Sequence, residues 1–232
     1  MTIRTPWIAT LVSLLALAPL AAQAIPVTYR FTTDTANQTM DPANALFESA
    51  LAGFSVSGTF DYDSVGAPVA TIPGGSLAGS SVYLTLSNLM GSVGGHWFSD
   101  PGGLTIVGND TFTPQVPSPP PSTDFLGLHA DGNVVQDLNG FSLAGFDLLN
   151  VRLFWLETFI AGTPDFLSSQ NLPSMLPSFV GRLALDFGDA NGVVGRVFFE
   201  NLTVVRVPEP GSLALLCLGL LGITLRRRLG ST

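Results

Sequence analysis

Phe54-Ser55-Val56-Ser57-Gly58-Thr59-Phe60-Asp61-Tyr62-Asp63 alternates without a break: its even positions are Phe, Val, Gly, Phe and Tyr, its odd ones Ser, Ser, Thr, Asp and Asp. A period of two places these sets on opposite faces of a strand, so the stretch reads as a half-buried antiparallel strand with one wet face. The same pattern recurs outward from it. Upstream, 27–32 puts Val27, Tyr29 and Phe31 on one face. Downstream, strands are expected at 82–87, 92–98, 104–108, 125–130, 141–146 and 148–156, and in a closing hairpin of 182–187 and 193–207. Turn residues separate several of these, at Asp131-Gly132-Asn133, Asn139-Gly140 and Asp189-Ala190-Asn191-Gly192.

One short helix interrupts the strands. Asp41 suits its N-cap, Pro42 its first turn, and Gly53 lies just past the end of 43–52. The Gly/Pro-rich 66–81 reads as a loop, and 167–179, with Pro173 and Pro177, as irregular. Four prolines in 117–121, after Pro114, cannot join a sheet interior because they lack the N–H donor, so 114–121 is expected to be a stiff surface loop. Many short strands and one helix predict an all-β fold. An antiparallel β-sandwich is the expected architecture, with a jelly roll as its variant.

The two chain ends differ from this middle. Arg4, an apolar run over 7–20 and the small-x-small triplet Ala22-Gln23-Ala24 predict a secretory signal helix over 1–24, cut after Ala24 by signal peptidase. The ectodomain is then 25–206, and 207–232 is a separate tail. About 180 residues can bury a core as one domain. The ectodomain holds five arginines against 16 acidic residues, a net charge near −11, and the chain has no lysine. Such a surface repels nucleic acid and anionic lipid, so nucleic-acid binding is not expected. Cys217, in the tail, is the single cysteine, which leaves the ectodomain without disulfides.

The tail has three parts in order: Pro208-Glu209-Pro210, an uncharged apolar run over 213–225, and Arg226-Arg227-Arg228. The two prolines hold Glu209 in a stiff extended segment. The run, 15 residues if counted from Gly211, reaches roughly 22 Å as a helix, short of a hydrocarbon core of about 30 Å. It reads as a short, marginal transmembrane helix, and the arginines would hold its far end in the cytoplasm. This order resembles the PEP-CTERM sorting signal of Gram-negative bacteria. The resemblance covers about 26 residues. It implies recognition by an exosortase-type membrane protease, a transient inner-membrane intermediate, and delivery to the cell surface or exopolysaccharide matrix.

Little in the ectodomain reads as catalytic. Gly140-Phe141-Ser142-Leu143-Ala144 approximates a nucleophile elbow but ends in Ala, and no His follows Ser142. His96 and His129 lack metal-type spacing. No cofactor is expected. Asp61 with Asp63, and Asp186 with Asp189, are the carboxylate pairs that could approach Ca²⁺, although no loop has a calcium pattern. Trp155 sits in an apolar run and reads as core. Trp97, in a Gly-rich setting, is the surface aromatic suited to stack on a sugar. The expectation is therefore a non-enzymatic envelope or matrix protein with a structural or adhesive role. A module binding exopolysaccharide is the alternative, and a secreted hydrolase the less favoured third.

Overall fold

In a computed structural model, residues 26–37, 44–112, 123–131, 138–156 and 166–208 are described. The strands are β1 (Val27–Asn37), β2 (Ser55–Tyr62), β3 (Ala70–Thr71), β4 (Ser81–Val93), β5 (His96–Phe112), β6 (Thr123–Asp131), β7 (Ser142–Leu143), β8 (Phe146–Leu156), β9 (Gly181–Asp189) and β10 (Gly192–Arg206). Each of the eight long strands pairs antiparallel with the one before and after it in the chain, setting aside the two-residue β3 and β7. β10 then pairs with β1, with Tyr29 opposite Arg206 and Thr32 opposite Thr203. The sheet closes on itself.

This corrects the expected architecture. The ectodomain is a closed eight-stranded up-and-down β-barrel, not a β-sandwich or jelly roll. The two solutions share the same alternation along each strand; they differ in whether the last strand finds the first. Two local expectations change with it. The strand expected over 92–98 is a hairpin, in which Gly94 and Gly95 turn the chain between β4 and β5 with φ of 56° and 86°. Both central residues of a two-residue type I′ turn need such angles. The short strand at 104–108 is one part of the 17-residue β5.

The alternation of 54–63 holds: Val56, Phe60 and Tyr62 point inward and are buried, while Ser55 and Ser57 face out. Tyr29, Phe31, Leu89, Phe98, Leu126, Leu128, Leu153, Trp155, Leu185, Phe187 and Phe199 complete an apolar interior. Apolar side chains inward and polar ones outward is the reverse of the arrangement in lipid-facing barrels.

Both barrel ends are covered. At one end the helix α1 (Ala45–Leu51) buries Phe47 and Leu51, and the Phe47 ring stacks on Phe187 at 5.0 Å. Its N-cap is Asn44, and the expected cap residues Asp41 and Pro42 lie outside the described residues. Gly53 follows the helix with φ of 81°, as expected of a residue ending it. At the other end the irregular segment 166–180 lies across the barrel, held by side chains of the strands. Tyr62 Oη donates to the Pro173 carbonyl at 2.8 Å, Tyr83 Oη to that of Gln170 at 2.7 Å, and Trp155 Nε1 to that of Phe179 at 3.2 Å. Buried Asp124 accepts the backbone N–H groups of Asp110, Phe166 and Leu167. The 114–121 segment lies outside the described residues.

Candidate functional site

Two places on the barrel stand out. The first is the exit of the chain. β1 starts and β10 stops at the end covered by 166–180, and the Val207 N–H donates to the Thr28 carbonyl at 2.8 Å. The tail therefore begins where the ladder stops, with Pro208 as the first residue past it. Pro208 cannot extend the ladder because it has no N–H. Of the predicted sorting residues only Pro208 is described; Glu209, Pro210, Arg226, Arg227, Arg228 and the signal-cleavage residues Ala22 and Ala24 lie outside the described residues. So do both apolar terminal segments. Among the described residues no helix is long and apolar enough to cross a membrane.

The second place is a groove of about 670 Å³ on the outer surface of β1, β2, β4 and β5, within the usual size of ligand sites. Its rows follow from the register. Ser57 stands opposite Ser92, and Ser92 opposite Trp97; one row further, Arg30 faces Thr59, Thr59 faces Met90, and Met90 faces Ser99. Asn139 bridges to Ser99 through two backbone hydrogen bonds and closes the rim. Trp97 is 73 % exposed and Met90 55 % exposed. The Gly94-Gly95 hairpin turn fixes the position of Trp97 two residues later. Gly91 keeps the floor thin, since a Cβ there would lie 2.3 Å from the inward Phe98 ring. Among the described residues no Asp, Glu or His lines the groove.

Trp97 is thus the exposed aromatic that its setting suggested, and Trp155 is buried as expected. The groove's other members were not singled out by sequence reasoning. Ser57 and Thr59 were legible as a wet face, but nothing in the sequence placed them beside Trp97.

The acidic residues weighed for calcium are engaged with protein groups. Asp61 accepts from Thr28 Oγ1 and Asn88 Nδ2, and Asp63 from the Val65 N–H. Asp189 accepts the Asn191 N–H and shapes the hairpin turn. Asp186 is buried on the outer face of β9 beneath Arg152 and Arg196, with Asn150 donating to it at 3.1 Å. Arg196 Nε reaches its Oδ1 at 2.5 Å. Among the described residues no three His, Cys, Asp or Glu side chains form a metal-type group. His129 stands opposite Arg152 beside this cluster, and its Nε2 is enclosed with no hydrogen-bond partner among the described residues. Burial, reinforced by the Arg152 charge, lowers its pKa to about 3. His96 instead stacks on Phe141 at 4.6 Å. Ser142 lies in β7, before a hairpin turn at Ala144 and Gly145, and its hydroxyl donates to Asp147. That is not the strand-to-helix corner of a nucleophile elbow.

The last strand of the barrel runs directly into the segment that carries the candidate sorting residues. The model of the PEP-CTERM protein-sorting motif matches residues 206–228, so the chain carries that signal and is an exported protein sorted by exosortase-type machinery after a transient membrane-anchored stage. The match begins at Arg206, the last residue of β10. No curated protein and no solved structure matches the chain.

Proposed function

We propose that the barrel is a non-enzymatic component of the cell surface or extracellular matrix, with an adhesive role in which it holds polysaccharide in the Trp97 groove. The observation that carries this reading is Trp97 itself. A tryptophan 73 % exposed loses apolar contact to water unless a ligand covers it. Around it stand Ser57, Thr59, Ser92, Ser99 and Asn139, which offer the hydroxyl and amide groups that sugar hydroxyls pair with. Hydrolysis of a glycosidic bond uses a pair of carboxyl groups, and the described lining residues include none.

The test is binding of the processed protein, recovered from its host, to the host's own polysaccharide by affinity electrophoresis. Retardation is expected, and Trp97→Ala should weaken it at least about tenfold, or ~1.4 kcal/mol. Because Trp97 is exposed, the variant should keep its fold. Unchanged retardation in Trp97→Ala would remove the groove from the reading, and no retardation of the wild-type protein would remove the polysaccharide.

A further inference from the structure

We infer that the Trp97 groove selects acidic polysaccharide, with Arg30 pairing to a sugar carboxylate while Trp97 stacks on a neighbouring ring; this rests on the glycan reading above. Few cations are available in this ectodomain, and most are committed. Arg152 and Arg196 close on Asp186, and Arg182 Nε reaches Glu200 at 2.8 Å. Arg30 is exposed, lines the groove, and has no carboxylate within ion-pair distance among the described residues. Its nearest acid in the register is Asp61, two residues beyond Thr59 on β2. That carboxylate is already held by Thr28 and Asn88.

In a domain carrying 16 acids and five arginines, a guanidinium with no acid partner and no acid in its groove among the described residues is a local reversal of charge. A guanidinium presents a planar fork of donors that fits a carboxylate in bidentate fashion. At physiological salt the Debye length is about 8 Å, so more distant acids are largely screened while a contact ion pair is not. The separation also sets the ligand's size. Arg30 and Trp97 lie on β1 and β5 with β2 and β4 between them, three strand spacings or roughly 14 Å. An oligosaccharide running across the strands would cover both.

The decisive experiment compares three polyuronates (polygalacturonate, polymannuronate and polyglucuronate) with their carboxyl-reduced neutral counterparts, using the processed wild-type protein, Arg30→Gln and Trp97→Ala. Each pair has one backbone and differs in the carboxylate. The wild type should bind at least one polyuronate about tenfold more tightly than its reduced partner in 0.15 M salt, with the margin collapsing at 1 M salt. Arg30→Gln should bind both members of that pair as the wild type binds the neutral one, and Trp97→Ala should lose both. Equal binding of each pair by the wild type would overturn the acidic selectivity and leave the glycan reading standing. A preference that survives in Arg30→Gln would overturn the role of Arg30. Failure of the wild type to bind any of the six polymers or its host's polysaccharide would overturn the glycan reading and this inference with it.

Discussion

Asp186 and His129 are the residues whose environments differ most from what their positions in the chain suggest. Asp186 alternates to the outer face of β9 and would ordinarily be solvated. Arg152 from β8 and Arg196 from β10 fold over it, so a surface acid becomes the buried centre of a small ionic cluster. His129, across the β6–β8 ladder from Arg152, stays neutral because burial and that guanidinium both oppose its protonation. The sign of the consequence is definite. Its folded pKa of about 3 lies below the unfolded value near 6.5, so the unfolded chain takes up a proton that the folded chain refuses. Stability from this group is present above pH 6.5 and is lost as pH falls toward 3. The slope approaches ~1.4 kcal/mol per pH unit for one proton. Urea unfolding at pH 7 and pH 5, above most carboxylate titration, should show the loss, and His129→Asn should flatten it. A wild-type midpoint unchanged between the two pH values would refute the enclosed neutral ring.

At the scale of elements, the strands are ordinary and the covers are particular. Segment 166–180 has no regular structure, yet it seals one barrel end because the strands grip its backbone. Asp124 is the strongest of those grips: its carboxylate accepts the N–H groups of Phe166 and Leu167 in the segment and that of Asp110 in β5, and removal strands them. Charge-assisted hydrogen bonds contribute about 1.5–3 kcal/mol each, and a stranded buried donor costs about 1–3 kcal/mol. Asp124→Ala should therefore lower unfolding stability by about 3 kcal/mol. The urea midpoint should fall; a shift worth less than about 1 kcal/mol would show that the segment is held by Tyr62, Tyr83 and its buried Leu167 and Leu176 instead.

For the molecule as a whole, closure is the governing feature. Residues 203–206 of β10 pair with β1 and have no partner on β9, whose ladder to β10 stops at Gly181 and Leu202. With Ala36 and Asn37 opposite Phe199 and Phe198, they make up the seam. A cut just past Val207 would leave this seam whole, so the released barrel should match the full ectodomain in thermal midpoint. A chain ending at Leu202 should keep only the Phe198 and Phe199 pairings, weaken closure and expose strand edges, which template association. Size-exclusion chromatography and thermal unfolding separate the two truncations: a monomeric, equally stable 25–202 barrel would show that the 203–206 part of the seam is dispensable.

The sequence determined the strand content, the inward and outward faces, the burial of Trp155, the exposure of Trp97, and the sorting tail. All of these follow from local periodicity or from a contiguous motif, which any reader of the chain can see. What needed the tertiary structure was every pairing between distant strands. Alternation is identical in a sandwich and in a barrel, and only the meeting of β1 with β10, some 170 residues apart, distinguishes them. The groove shares that origin: Arg30, Thr59, Met90 and Ser99 become one row because four strands stand in one register. Cross-strand register arises from summed packing over the closed sheet, and no short stretch of sequence encodes it.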